Sequence, residues 1–154
     1  MDDHARLQTP FGILGISCSN EALTGIAFLA PGTAALAPRT ALAQEVRRQL
    51  TAYFDDPDFR FDLPLAYEGT PHQRRVWQAM CAIPRGAVRS YGEVAAELAS
   101  SPLAAGQACG ANRLPIVIPC HRIVGKTGIG GFANHRDGYL LDIKRWLLRH
   151  EGVL

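Results

Sequence analysis

A cysteine, a histidine and an arginine stand side by side at positions 120 to 122, inside an apolar stretch that reads LPIVIPCHRIV. A thiolate is a strong nucleophile, and a neighbouring histidine or arginine can supply the hydrogen bonds or positive charge that favour it. Adjacent residues of a regular strand point to opposite sides, so contact between Cys120 and His121 requires an irregular backbone or an intervening water molecule. On residue types alone, a buried inert cysteine is as good an interpretation as a nucleophile.

The other cysteines offer no alternative chemistry. The four cysteines are Cys18, Cys81, Cys109 and Cys120, and they form no C-x-x-C pair. Cys18 with His4 or His72 does not make a convincing ligand set, so no metal is predicted. The N-terminus lacks a secretory signal, and no apolar run is long enough to cross a bilayer. We therefore expect free thiols in a cytoplasmic protein that has no membrane partner.

Composition narrows the class of protein but not its activity. The chain has 154 residues, of which 47% are hydrophobic and 19% are charged. These values are typical of a globular protein and exclude a disordered or fibrous one. The formal net charge of +2 is compatible with nucleic-acid binding but is not evidence for it.

The elements that must position the reactive residues fall into two parts. In the first part, residues 11–18 and 23–29 are predicted to form a β-hairpin, residues 30–40 a loop, residues 41–54 an amphipathic helix and residues 59–65 a final strand. Strands with one helix indicate a small module of α and β structure.

The second part has the pattern of short helices. Thr70 followed by Pro71 is a good helix start, and the apolar face that follows continues to Ile83. Ser90 with Glu93 three residues later is a capping box for a second helix. A further helix is predicted over residues 103–111. Two short helices joined by a tight turn fit a helix-turn-helix, although that signal is weak by itself.

The end of the chain combines a strand and a helix. Residues 114–124 are predicted to form a short buried strand that proline interrupts at the reactive cysteine. The last helix is predicted over residues 140–150, with Lys144, Arg145 and Arg149 as surface charges and Gly152 as the stop.

The run IPCHRIVG resembles the signature of the O6-alkylguanine-DNA alkyltransferases, which centres on Pro-Cys-His-Arg. Further matches follow in the family's order: GTPHQRRVWQAMCAIPRGAVRSYGEVA, ANRLPIVIPCHR, GGFA and KRWLLRHEG, covering most of residues 69–152. The first part of the chain is similar to the family's variable first domain only in outline. The resemblance implies an α+β protein in which a ribonuclease-H-like module (residues 1–66) precedes a mostly helical, winged helix-turn-helix-like domain (residues 67–154) that carries the active cysteine.

In this family a damaged nucleotide is rotated out of the duplex, and the cysteine sulfur takes the alkyl group from guanine, so each molecule acts once. Cys120 corresponds to the nucleophile, His121 to the histidine that accepts the thiol proton through a water molecule, and Glu151 to the carboxylate that orients it. Tyr91 corresponds to a hydroxyl donor to the leaving guanine. Asn112 corresponds to an asparagine that braces the recognition helix against the active-site strand. The family needs no dissociable cofactor.

The resemblance also implies a partner, namely double-stranded DNA containing O6-alkylguanine, bound through its minor groove by a monomer. The residues expected to contact DNA are Leu103, Ala104, Ala105, Gly106, Arg113 and Arg122. Arg122 is also expected to organise the local backbone through charge-assisted hydrogen bonds. The residues expected to line the substrate pocket are Tyr91, Pro119, Ile123, Gly131 and Phe132.

The chain departs from the family at the DNA face and at the pocket. Relatives usually have an arginine where this chain has Leu103, and no Arg or Lys lies between Arg89 and Arg113. An apolar side chain can also hold a base step open, but it does not attract phosphate, so weaker DNA binding or slower repair is expected. Arg113, at a position where proline is usual, returns some positive charge. Ala133 and a longer segment over residues 134–141 leave the alkyl preference open.

Three functions are compatible with these residues. The expected one is an active alkyltransferase on O6-methylguanine, with some activity on O4-methylthymine. A damage sensor that binds alkylated bases without repair is the alternative, although such relatives replace the cysteine that this chain keeps. A cysteine hydrolase is the third, but the sequence contains no evident oxyanion arrangement, and an adjacent Cys-His pair is poor geometry for a dyad.

Overall fold

The computed structural model describes residues 4–66, 68–126, 128–130 and 138–154. The chain divides into two compact units, Met1–Tyr67 and Glu68–Leu154. The strands are β1 (Ala5–Thr9), β2 (Gly12–Cys18), β3 (Leu23–Phe28), β4 (Arg89–Ser90) and β5 (Ile123–Val124), and the helices are α1 (Ala41–Asp55), α2 (Pro71–Cys81), α3 (Tyr91–Glu97), α4 (Pro102–Gly110) and α5 (Tyr139–His150). This mixture agrees with the predicted α+β class. None of the helices in the described ranges is long and apolar enough to cross a membrane.

The first unit is built on an antiparallel sheet in the order β1-β2-β3. Strands β2 and β3 form the predicted hairpin, with Ile16 opposite Ile26. Strand β1 adds to the predicted strands. Its buried residues are Ala5, Leu7 and Thr9, which is the two-residue period of a half-buried strand.

Helix α1 confirms the predicted helix over residues 41–54 and packs on this sheet. Its N-cap is Thr40, whose hydroxyl accepts a hydrogen bond from the Ala43 N–H at 3.1 Å. The buried face includes Val46, Leu50 and Tyr53. Burial of this face against the sheet accounts for the core of the unit.

The prediction of a strand over residues 59–65 is wrong, because only Leu65 forms an isolated bridge, to Leu23. The reason is a side chain that takes the place of a neighbouring strand. The amide of the buried Gln49 donates to the Asp62 carbonyl at 2.9 Å and accepts from the Asp62 N–H at 2.8 Å. Phe61 packs on Tyr53 with ring centroids 5.4 Å apart, so its apolar surface is used against helix α1.

The second unit begins with the predicted helix start. Thr70 caps α2, Pro71 occupies its first turn, and Gln73 completes a capping box. The buried Trp77 donates its indole N–H to the Ala108 carbonyl at 2.8 Å. This bond ties α2 to α4, and the two helices pack against each other.

Helices α3 and α4 form a packed pair joined by a short turn. The capping box of Ser90 and Glu93 is present, as predicted. At the turn, Ala99 adopts a φ of 53° and the Ser100 N–H donates to the Ala95 carbonyl at 2.8 Å. Ser101 then caps α4.

The prediction of a strand immediately before Cys120 is wrong. The Ile118 N–H returns to the Leu114 carbonyl at 2.8 Å, and Ile116 adopts a φ of 75°, so residues 114–118 form a tight turn. Two prolines, at positions 115 and 119, lack the N–H groups that a strand ladder needs. Regular pairing begins only at β5, which runs parallel to β4.

Helix α5 closes the second unit and brings Glu151 to the reactive segment. Its terminus is the predicted one, since Gly152 adopts a φ of 84° and its N–H donates to the Arg149 carbonyl at 3.0 Å. Glycine takes this conformation without steric cost. Glu151 is the C-cap residue.

Replacing the cap of α2 tests how much local signals stabilise the second unit. Thr70→Ala removes the hydroxyl that accepts from the Gln73 N–H at 3.1 Å, and we expect the free energy of unfolding to fall by about 1 kcal/mol. Urea unfolding followed by tryptophan fluorescence measures it. The control is Gln78→Ala at an exposed position of α2, which should leave stability unchanged. Equal effects would show that the cap contributes nothing.

Candidate active site

Cys120 lies at a break in regular structure. Pro119 precedes a 3₁₀ helix that spans Cys120–Arg122, and the Cys120 N–H donates to the Ile118 carbonyl at 2.8 Å. The residue is buried, with 8% of its surface exposed. This is the irregular backbone that the Cys-His order requires, because a 3₁₀ turn does not send successive side chains to opposite faces as a strand does.

His121 and Glu151 form a buried pair. The Nε2 atom of His121 lies 2.9 Å from Oε2 of Glu151, and both side chains are fully buried. A carboxylate can only accept hydrogen bonds, so Nε2 carries the proton and Nδ1 is the basic nitrogen. Among the described residues, Nδ1 of His121 is buried and bonds to no protein atom. The pair thus leaves one imidazole nitrogen available to accept a proton.

The protonation of this pair follows from burial. Burial lowers the pKa of His121, while the hydrogen bond and charge of Glu151 raise it. Burial dominates, so at neutral pH the imidazole is uncharged. A neutral histidine held by a carboxylate is the arrangement of a general base.

Asn112 connects the end of α4 to the reactive segment. Its side-chain oxygen accepts from the Leu114 N–H at 2.9 Å, and its amide donates to the Ile118 carbonyl at 3.0 Å. A hydrogen bond from Asn112 also lowers the pKa of Cys120, although burial, the largest influence, raises it. Cys120 is therefore a protonated thiol at neutral pH with a donor ready for its thiolate form.

The prediction that Lys144 lies on the surface of the last helix is wrong, because its side chain is fully buried. Its ammonium group donates to the carbonyl of Ile123 at 2.8 Å and to that of Ile129. Burial lowers the pKa of Lys144 to about 8, against the opposing effect of Cys120 and Cys109. Its positive charge in turn lowers the pKa of Cys120, so it belongs to the electrostatics of the site.

A signal for the burial of Lys144 exists in the sequence. It stands three residues after Leu141 and three before Leu147, both of which are buried in α5. The helical period therefore puts it on the inward stripe. Lysine is a residue type that favours the surface, but in this helix the period is the better guide to burial.

Cys109 is a second thiol near the site, in the last turn of α4. Burial raises its pKa to about 12, with a further contribution from the charge of Cys120. The hydrogen bond from Asn112 that favours a thiolate goes to Cys120. Of these two thiols, Cys120 is the one with a side-chain donor for its thiolate form.

Tyr91 approaches the backbone that follows β5. A Cβ atom at Gly130 would meet Tyr91 Cε2 at 3.0 Å and its hydroxyl oxygen at 3.3 Å, and Gly130 itself has a φ of 74°. Gly130 therefore permits a close contact with the tyrosine ring. Pro119 and Ile123, also expected at the pocket, are both buried. Gly131 and Phe132 lie outside the described residues, as do Ala133 and the first half of the segment 134–141.

Residues 71–153 match a family model described as "6-O-methylguanine DNA methyltransferase, DNA binding domain". The match covers more than half of the chain and contains the Cys120, His121 and Glu151 cluster. The chain belongs to this family.

Named relatives support the same assignment. The constitutive methylated-DNA–protein-cysteine methyltransferase of Bacillus subtilis is 44% identical over 107 residues, which are 66% of this chain and 65% of the relative. The methylated-DNA–protein-cysteine methyltransferase of Salmonella typhimurium is 48% identical over 95 residues, 60% of this chain and 53% of the relative. The matches thus span between about half and two thirds of these relatives.

Solved structures resemble the chain over nearly its whole length. The O6-methylguanine methyltransferase of Mycobacterium tuberculosis has a TM-score of 0.79 at 33% identity, covering 95% of this chain and 90% of that one. A structure of Mycobacterium tuberculosis OGT in complex with DNA gives a TM-score of 0.78 at the same identity. The mixed α and β fold of the family is therefore present here.

The residues that the family resemblance assigns to DNA contact differ in exposure. Leu103 is the most exposed large apolar side chain of the described residues, at 73%, and Arg113 is exposed while Ala104 and Gly106 are partly buried. Ala105 is fully buried, so its side chain faces the interior of the unit. Arg122 has 14% of its side chain exposed and is paired with Glu151, so it too is turned inward.

No alternative centre competes with this cluster in the described ranges. No group of three or more His, Cys, Asp or Glu residues there is arranged to hold a metal ion. His4 Nδ1 accepts from the Cys18 N–H at 3.0 Å, and His72 Nε2 bonds to the Ser100 hydroxyl at 2.7 Å. A cavity of about 280 Å³ in the first unit is lined by residues 6–9, 35–38, 47, 50, 51 and 54, which include no cysteine or histidine.

The lowered pKa of Lys144 has a consequence for stability. Its ordinary pKa is 10.5 and its folded value about 8, so below about pH 8 the lysine is protonated in both states. Between these values the unfolded chain binds more protons, and the contribution of Lys144 to the free energy of unfolding rises with pH. The comparison variant is Lys144→Met. The measured quantity is the difference in the free energy of unfolding, wild type minus variant. We expect this difference to increase by roughly 2 kcal/mol from about pH 8 to about pH 9.5.

Urea unfolding at several pH values measures this difference. Groups that do not interact with Lys144 titrate alike in both proteins, so their effects cancel in the subtraction. A difference that stays constant across this range would show that Lys144 titrates at its ordinary pKa.

Proposed function

We propose that this protein repairs DNA by direct reversal of damage. It transfers a methyl or larger alkyl group irreversibly from O6 of guanine, and from O4 of thymine, to the sulfur of Cys120. The observation that carries the proposal is the buried His121–Glu151 pair, 2.9 Å between Nε2 and Oε2, beside Cys120 in a chain of this family. The bonded Nε2 leaves Nδ1 as the base, and a base is what a protonated buried thiol needs.

The proposed transfer begins with loss of the thiol proton. Nδ1 of His121 accepts it through one water molecule, and the imidazolium is stabilised by Glu151. The Cys120 sulfur attacks the alkyl carbon, a sulfur–carbon bond forms and the carbon–O6 bond breaks. The electron pair moves onto guanine. The thioether is stable, so each molecule acts once.

Tyr91 is proposed to donate a hydrogen bond to guanine as that negative charge develops. A donor already in place stabilises the transition state without reorganisation. The Tyr91 ring packs closely on Gly130, since a Cβ atom built at Gly130 would lie 3.0 Å from Cε2 of the ring. This contact supports a fixed orientation of the tyrosine. Asn112 and Lys144 are proposed to stabilise the developing thiolate, since both lower the pKa of Cys120.

The partner of this activity is double-stranded DNA that contains the alkylated base. The DNA-binding description of the matching family model and the DNA complex of a relative support a DNA partner. We propose that α3 and α4 are the helix-turn-helix of a winged helix-turn-helix-like domain (residues 67–154), with α4 in the minor groove. Ala104 and Gly106 would permit the close approach that this groove demands. Arg113 would contact phosphate.

Three further properties complete the proposal. The first unit would be a ribonuclease-H-like domain (residues 1–66), since its antiparallel sheet carries a packed helix. The protein would act as a monomer without a cofactor. The four free thiols are compatible with the cytoplasm.

Leu103 is proposed to take the position of the arginine that relatives insert beside the flipped base. Its 73% exposure in the first turn of α4 leaves an apolar side chain free to enter the base stack. An apolar wedge can hold a base step open. It supplies no charge to the phosphates, which weakens binding.

Peptide mapping tests the transfer. After incubation with methylated duplex DNA, we expect one methyl group on the Cys120 peptide, with none on the Cys120→Ser protein. The control Cys81→Ser removes an exposed thiol and should leave the methylation unchanged. Tight binding without protein methylation would favour the damage sensor, and repeated turnover would contradict the single-use mechanism.

The wedge is tested by Leu103→Arg. We expect DNA binding to become several-fold tighter at low salt, or repair to become faster, because one more cation lies near phosphate. Gln107→Arg is the matched control, since it adds the same charge at an exposed position one turn later on α4. Equal gains from both variants would show a general charge effect and would remove Leu103 from the wedge position.

A further inference from the structure

Arg122 directs its guanidinium group into the protein. Its Nε donates to Oε1 of Glu151 at 2.9 Å and its Nη2 donates to Oε2 at 2.9 Å. Its Nη1 donates to the Ile83 carbonyl at 2.6 Å. The side chain is only 14% exposed. A guanidinium that holds a carboxylate through two parallel bonds and a carbonyl through a third has its orientation set from two sides.

The two bonds to Glu151 decide the charge of that carboxyl group. Glu151 is fully buried, and burial without a partner favours the neutral acid. The guanidinium remains charged at any ordinary pH, so it stabilises the carboxylate. Oε2 thereby accepts from both Arg122 and His121.

The charge of Glu151 in turn decides which nitrogen of His121 is basic. A carboxylate can only accept, so the proton of His121 must sit on Nε2. A protonated carboxyl group could instead donate to Nε2, and the ring proton would then move to Nδ1. In that tautomer the buried Nδ1, which bonds to no described protein atom, could no longer accept the thiol proton.

We infer that Arg122 is a positioning residue for the transfer, acting through Glu151 to hold His121 in the tautomer with a basic Nδ1, and that it is not a DNA contact. The inference rests on the proposed function of Cys120. This role replaces the DNA contact that the family resemblance implies for Arg122. The Ile83 carbonyl is the second group that holds Arg122. The Arg85 guanidinium donates to the Glu151 backbone carbonyl at 3.3 Å, so the segment after α2 contacts both Arg122 and Glu151.

Two substrates separate a positioning role from a DNA contact. One is duplex DNA with O6-methylguanine, and the other is free O6-benzylguanine, which has no phosphate for an arginine to bind. For Arg122→Met we expect alkylation of Cys120 to slow by about 10- to 100-fold with both substrates, as occurs when residues that orient a metal-bound histidine are removed. The equilibrium affinity for DNA should stay within about twofold of the wild type, since no phosphate contact is lost.

Two further variants provide controls. Arg122→Lys keeps a charge near Glu151 but loses the two-pronged geometry, so we expect its rates to fall between those of the wild type and Arg122→Met. Arg149→Met removes an exposed arginine of α5 and should change neither rate. If Arg122→Met does not fold, the Arg122→Lys protein provides the same comparison.

The ¹⁵N chemical shifts of the His121 ring provide a readout that does not depend on activity. The wild type should show a protonated Nε2 and a bare Nδ1, and Arg122→Met should shift the population towards a protonated Nδ1. Weaker DNA binding together with an unchanged free-base rate and an unchanged tautomer would overturn the inference. Failure of the wild type to accept an alkyl group from either substrate would overturn the proposed function instead, and the ring shifts would still decide the role of Arg122.

Discussion

The structure of the candidate site depends on a carboxylate kept charged in the protein interior. Glu151 is fully buried, and such an anion is stable only when charged and hydrogen-bonding partners replace water. Arg122 holds both of its oxygens, and His121 donates to one of them. These bonds join the end of α5 to the 3₁₀ helix that carries Cys120. Through the Ile83 carbonyl they also reach the turn that follows α2, so three parts of the second unit meet at one carboxyl group.

The same apolar surroundings set the reactivity of the thiol. Burial raises the pKa of Cys120 and lowers that of His121, so the resting pair is neutral on both sides. Lys144 and Asn112 lower the pKa of Cys120, because they favour the thiolate. A protonated thiol near an uncharged base becomes a nucleophile when the base is aligned to accept its proton. The proposed single-use acceptor suits such a balance, since a permanently ionised thiol would react with other electrophiles.

Predictions based on neighbouring residues were the accurate ones. Thr70 and Pro71 start α2, and Ser90 with Glu93 starts α3, because capping involves only residues within one turn. Two predictions that depended on distant partners were wrong. Residues 59–65 have strand composition, but the side chain of Gln49 satisfies the backbone at Asp62. Lys144 is buried because carbonyl groups of Ile123 and Ile129 accept its hydrogen bonds, and neither adjoins it in the chain.

The sequence by itself determined the reactive segment, the family to which it belongs and the ends of most helices, because these depend on adjacent residues and on a short motif. Only the tertiary structure decided which way Arg122 points, that Ala105 is buried, and that Nδ1 is the basic nitrogen of His121. Each depends on contacts made across the fold, above all the bond between His121 and Glu151, which are separated by 30 positions. Residue type and spacing do not specify that distance, since only the packing of α5 against the segment around Cys120 brings the two side chains together.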